Sequence, residues 1–252
     1  MWRYIAQSQQ GSSHVADDIR CQDSNRVCIV GENAASTLIA CIADGAGSAQ
    51  HSDVGSRIAC ETVIEKARAC FDEHGGFDEM QRDDALIWCE EIQQRIHDAA
   101  LDRNCSERDL ATTLSVAIVA PSLSIFFQIG DGGIIVRSHG VYGIVFWPQS
   151  GEYANSTNFV TVDDFRDRLD FLSLKFDCAD VALLTDGLQR LALALDHRTP
   201  HVRFFEPLFN VLRASNDVVT LNEGLLGFLS SEAVQTRSDD DTTLILASRD
   251  EA

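Results

Sequence analysis

Short apolar runs rich in β-branched residues recur along the chain, at Thr37 to Ala43, Thr112 to Ala120, Leu123 to Ile129, Ile134 to Arg137, Val141 to Trp147, Val181 to Thr185 and Thr242 to Ala247. Each has the length and composition of a strand. Pro121-Ser122 and Ser138-His139-Gly140 separate neighbouring runs as turns do, so the middle of the chain is predicted to form antiparallel hairpins. Between the first run and this meander the apolar period lengthens to that of a helix: Val54, Ile58, Ile64, Ala67 and Phe71, then Ala85, Cys89, Ile92, Ile96 and Ala99. Ser52-Asp53 and Asp83-Asp84 supply N-cap oxygens at or near the two starts. Further helices are predicted at Gly187 to Leu195, Phe204 to Arg213 and Leu221 to Ser230. Strands and helices in blocks favour an α+β fold of antiparallel sheets covered by helices over a doubly wound parallel sheet. No repeat or Pro/Ser-rich linker divides the chain, which reads as a single domain over residues 1–252, with an irregular insertion at about 148–176 where the period is lost.

Acidic residues fall at the ends of these strands. Ile39 to Ala43 runs into Asp44-Gly45, Leu123 to Ile129 into Gly130-Asp131-Gly132, and Val181 to Leu184 into Thr185-Asp186-Gly187. Asp239-Asp240-Asp241 precedes the last strand, and Asp23 lies near the N-terminus. Asp-Gly alone is an ordinary turn dipeptide. Repeated at strand exits, it places rigidly held carboxylates on one open edge, where hard divalent cations such as magnesium and manganese find the oxygen ligands they prefer. The residues themselves support a multi-carboxylate cation site, catalytic or structural, without choosing a reaction.

Composition narrows the classes. A formal charge of −19 over 252 residues disfavours nucleic-acid and membrane-surface binding. The eight cysteines include no Cys-x-x-Cys pair, and several sit in apolar runs, as small buried hydrophobes do in a reducing compartment. With no signal-like start and no long apolar stretch, a cytoplasmic location is expected.

Taken in order, Cys21-Gln22-Asp23-Ser24, Ala43-Asp44-Gly45-Ala46-Gly47-Ser48, Ala111-Thr112-Thr113, Gly130-Asp131-Gly132, Thr185-Asp186-Gly187-Leu188 and Asp240-Asp241-Thr242-Thr243 resemble the motif series of the metal-dependent, type 2C serine/threonine protein phosphatases. The resemblance covers about Gly11 to Ala247, and its motifs are specific jointly rather than singly. Gly11 to His14, Asp44 to Ser48 and Gly151 to Asn155 look like a bacterial subgroup of that family. The resemblance implies a four-layer αββα sandwich, two antiparallel sheets flanked by helices. It also implies two manganese or magnesium ions: Asp44 bridging them, the Gly45 carbonyl binding one, Asp186 and Asp240 completing the first site, and Asp23 serving the second. Asp131 matches the position of a third, weaker ion. On this reading a water acidified between two cations attacks phosphorus.

The chain departs from the family's pattern at two places. Many relatives carry an arginine a few residues before the first acidic motif to grip phosphate; here Arg20 adjoins Cys21-Gln22-Asp23 and His14 lies further upstream, so the grip is open between them. Gly132-Gly133 stands where Ser-Arg commonly follows the aspartate. The insertion at about 148–176 occupies the place where relatives carry a variable flap. The expected substrate is a phosphorylated protein, with a cognate serine/threonine kinase as the opposing partner. The alternatives are a catalytically weak phosphoprotein-binding regulatory module and a phosphatase of a small phosphorylated metabolite.

Overall fold

The computed structural model describes residues 1–149, 157–176 and 178–249. In chain order its strands are β1 (Trp2–Gln9), β2 (Ser24–Val30), β3 (Thr37–Ala43), β4 (Leu114–Val119), β5 (Ser124–Ile129), β6 (Gly133–Ser138), β7 (Val141–Ile144), β8 (Asp170–Leu174), β9 (Asp180–Leu184), β10 (Leu193–Ala194), β11 (Thr199–Pro200) and β12 (Thr242–Arg249). The α-helices are α1 (Ser12–Ala16), α2 (Ser52–His74), α3 (Arg82–Arg103), α4 (Phe165–Arg168), α5 (Gln189–Ala192), α6 (Val202–Ala214), α7 (Val218–Leu229) and α8 (Glu232–Gln235). Two five-stranded sheets, ordered β1-β12-β9-β6-β7 and β2-β3-β4-β5-β8, carry the fold. Every pairing within them is antiparallel.

The layers follow from the pleat of the strands. Along β3, Leu38, Ala40 and Ile42 enter a core shared with Ile134, Val181, Leu183 and Ile245 of the other sheet. The alternate residues Ile39, Cys41 and Ala43 pack with Ala59, Val63, Cys89 and Ile92 of α2 and α3. A strand buried on both faces must be apolar at every position, which is why β3 reads as an unbroken run. On the far side, Ala182, Leu184, Leu244 and Leu246 meet Phe205 and Phe209 of α6 and Leu225 and Leu229 of α7. The result is the expected αββα sandwich.

The meander is divided between the sheets. β4 and β5 form a hairpin in one sheet, β6 and β7 a hairpin in the other, and the chain crosses at Gly130-Asp131-Gly132. Gly130 makes the crossing at φ 111°, a conformation that L side chains rarely adopt. Helix starts also differ. α3 is capped by Gln81, with Asp84 accepting its amide at 2.8 Å, while α2 begins at Ser52 with Asp53 in its first turn, where a negative charge favours the helix dipole. The segment predicted as a helix from Gly187 to Leu195 is a 3₁₀ turn, Asp186–Leu188, followed by the short α5 and by β10. Within 148–176, Asp170–Leu174 is β8, which pairs with β5 at the edge of its sheet.

Candidate active site

Strand register gathers the acidic motifs. Ser24 pairs with Ala43, so Asp23 and Asp44 lie side by side at one end of the first sheet. In the second sheet Leu184 pairs with both Gly133 and Leu244, bringing Asp131, Asp186 and the 239–241 segment to a common end. The two ends open on a cleft of about 850 Å³ lined by Asp44, Asp131, Asp186, Asp239 and Asp240, with Trp147, Gln149 and Phe159 on its walls. Asp23 is buried beside it.

Backbone contacts fix the first carboxylate. The Asp44 amide donates to Thr113 Oγ1 at 2.9 Å, Thr113 N donates to the Asp44 carbonyl at 2.8 Å, and Gly45 N donates to the Gln22 carbonyl at 3.2 Å. Asp23 Oδ2 accepts the hydroxyls of Thr185 at 2.8 Å and Thr243 at 2.7 Å. Asp241 is buried and ties three loops together, accepting Gly11 N at 2.7 Å and Gln22 N at 2.5 Å while its own segment leads into β12. Gln149 closes one wall: its Oε1 accepts Gly130 N at 2.9 Å, and its Nε2 donates to Asp170 at 2.8 Å.

The charges in the cleft work against one another. Desolvation, then the neighbouring carboxylates Asp23, Asp186, Asp131 and Asp240, hold Asp44 well above the usual carboxylate range. Burial pushes Asp23 up to about 8, opposed by its hydrogen bond from Thr243 and reinforced by Asp241. Desolvation and Asp186 push Asp131 up to about 6 and raise Asp240 as well. Such a cluster ionises fully only beside a compensating positive charge.

The donor set fits a hard divalent cation in kind, being oxygen throughout. Among the described residues Asp23 Oδ1 and Asp186 Oδ1 are also buried without a hydrogen-bond partner, as the ligand atoms of a cation would be. Among the described residues no three His, Cys, Asp or Glu side chains stand in a ready-made ligand group.

Two predicted residues stand apart. Arg20 is exposed in a separate pocket of about 290 Å³ with Gln50 and His51. His14 is buried behind the cleft, its Nδ1 3.0 Å from Asp241 Oδ1. Neither lines the main cleft among the described residues. Its positive charges come instead from Arg190 and Arg237, which sequence reasoning passed over, as it did Asp241 and the hydroxyls of Thr185 and Thr243. The threonines carried a signal, since each lies in a motif already singled out for its acid. The Gly151 to Asn155 motif lies outside the described residues.

The model of the family described as "Protein phosphatase 2C" matches residues 10–230. The chain belongs to the protein phosphatase 2C family. Serine/threonine-protein phosphatase 3 of Escherichia coli (strain K12) is 37% identical over 252 residues, covering 98% of each chain. Among solved protein phosphatase 2C-like folds, serine/threonine phosphatase Stp1 from Staphylococcus aureus superposes with a TM-score of 0.67 at 14% identity, covering 100% of this chain and 96% of that one. The catalytic domain of serine threonine protein phosphatase PstP, solved with two manganese ions, superposes with a TM-score of 0.60 at 15% identity, covering 98% and 97%. At such identities the likeness is one of fold.

Proposed function

We propose that this serine/threonine phosphatase of the protein phosphatase 2C family hydrolyses phosphoserine and phosphothreonine on proteins at a two-cation site held by Asp44, Asp186, Asp240, Asp23 and the Gly45 carbonyl. The observation that carries the reading is the set of mutually repelling carboxylates around Asp44, with oxygens of Asp23 and Asp186 buried and unpartnered among the described residues. The manganese pair in the PstP domain supports the same count of ions here. When bound, two magnesium or manganese ions supply an acidified attacking water and neutralise the phosphoryl oxygens.

The chain's own residues prepare that site. Asp44 lies among the other four carboxylates and would hold both ions. Thr185 and Thr243 occupy one oxygen of Asp23 and so turn the other toward a ligand. Asp131, across the cleft, is the candidate for an additional, weaker ion. His14 stands against Asp241, a positioning role behind the ligands. Cys21, beside Asp23, is a poor nucleophile: burial, then Asp23 and Asp241, drive its thiol far above its ordinary range. None of the described helices is long and apolar enough to cross a membrane.

The decisive assay offers phosphoserine and phosphothreonine peptides to the purified protein with manganese or magnesium. Turnover that a chelator abolishes and added metal restores is expected. Full activity after exhaustive chelation would overturn the mechanism, and turnover confined to small phosphometabolites would overturn the substrate.

A further inference from the structure

We infer that Arg190 and Arg237 form the phosphoryl clamp of this enzyme, a role that rests on reading the cleft as a phosphomonoester site. They are the only positively charged side chains lining it among the described residues. The protein carries a formal charge of −19 and the cleft floor is a cluster of carboxylates, so an approaching phosphate dianion meets repulsion unless local cations offset it.

Most other arginines are already engaged. Arg137 and Arg213 bind Asp180, Arg95 binds Glu65 and Glu91, Arg26 and Arg57 bind Glu61, and Arg198 stacks over Trp147. Arg190 and Arg237 are exposed, and among the described residues neither guanidinium has an ion-pair or hydrogen-bond partner. Both therefore keep their full donor fork for a ligand.

Their placement is set by backbone. Arg190 lies one helical turn beyond Asp186, and Arg237 lies just ahead of Asp240, so each loop that brings a carboxylate to the cleft also brings a guanidinium. The loops are locked to each other. Thr185 N donates to the Thr243 carbonyl at 3.3 Å, and Thr243 N donates to Thr185 Oγ1 at 2.9 Å. At Gly187 a Cβ would stand 2.1 Å from the Asp241 carbonyl oxygen, a closeness only glycine permits. Two guanidinium forks on one rigid pair of loops suit a tetrahedral anion, since each can take two oxygens in plane. Arg20, in its separate pocket, has no such access.

The test compares wild type with Arg190→Ala, Arg237→Ala, the double variant and the two lysine replacements, on p-nitrophenyl phosphate and a phosphothreonine peptide with manganese. Loss of charge-assisted hydrogen bonds predicts a KM raised by about ten- to hundredfold in the double variant on both substrates. Product inhibition by inorganic phosphate weakens in parallel, calorimetric manganese stoichiometry is unchanged, and lysine restores part of the affinity. Arg20→Ala keeps the wild-type KM. An active wild type beside a double variant with normal KM and normal phosphate inhibition overturns the clamp alone. A defect confined to the peptide also overturns it, since the arginines would then read the polypeptide rather than the phosphoryl group. A wild type with no metal-dependent hydrolysis overturns the phosphatase reading and the clamp together.

Discussion

Thr243 donates its hydroxyl to Asp23 Oδ2 at 2.7 Å, while the second oxygen of the same carboxylate is buried with no partner among the described residues. The asymmetry orients Asp23 without satisfying it, and burial, reinforced by Asp241 and Asp186 against the two threonine hydrogen bonds, raises its pKa to about 8.

Asp23→Asn keeps an oxygen for the two threonine hydroxyls and cannot ionise. At and above about pH 8, where Asp23 gives up its proton, chelated Asp23→Asn is therefore expected to melt at a higher temperature than chelated wild type, and calorimetric manganese stoichiometry is expected to fall from about two to about one. Undiminished stoichiometry would remove Asp23 from the ligand set.

The raised carboxylates also set the pH dependence of the metal-free fold. Asp131 at about 6 and Asp23 at about 8 bind more protons when folded than they do in the unfolded chain. Their contribution is fully present near about pH 4 and is lost as pH rises toward about 8. With chelator the melting temperature should fall over that window, and the stabilisation added by manganese should grow. In Asp23→Asn the upper half of the window should flatten. A chelated wild type that gains stability between about pH 6 and about pH 8 would contradict the assignment.

How far the sequence was legible depended on burial. β3, β4, β5 and β9 are buried at every position and announced themselves as apolar runs. β1, β2 and β8 passed unnoticed because each lies at a sheet edge, where polar residues such as Arg3, Gln7 and Asn25, only partly buried, and the exposed Ser173 dilute the pattern. The acidic motifs could be read because each is anchored to a strand end. Arg190 and Arg237 could not, since their meeting depends on which loops pack together, and neither lies in a local pattern that implies it. The split of the meander was hidden for the same reason: Gly130-Asp131-Gly132 reads equally well as a hairpin turn or as a crossing between sheets.

Asp241 is expected to matter for stability more than for chemistry. Asp241→Ala strips the acceptor from the buried amides of Gly11 and Gln22, each hydrogen bond to a charged group. Chemical denaturation should show a loss on the order of 3 kcal/mol. His14→Ala leaves both amides satisfied and should cost much less. Equal losses in the two variants would mean that the ion pair, rather than the amide contacts, holds the loops together.

Asp44 and Asp131 separate the paired site from the candidate extra one. Asp44 is flanked by four carboxylates and clamped through its backbone by Thr113, so Asp44→Asn removes a charge that two cations would share while leaving the loop in place. A fall in kcat of at least about a hundredfold is expected, with manganese affinity lost in the same variant. Asp131 stands at the crossing between the sheets, its backbone held by Gln189 Nε2 at 2.8 Å, and its pKa shift comes mainly from desolvation and Asp186. Asp131→Asn should keep two tightly bound ions and lose only a weak third, so its rate should fall most at low manganese and recover as manganese is raised. Asp131→Asn that sheds both tight ions, or Asp44→Asn that retains them with wild-type turnover, would reverse the roles of the two residues, because the shared charge would then reside on the sheet crossing rather than at the end of β3.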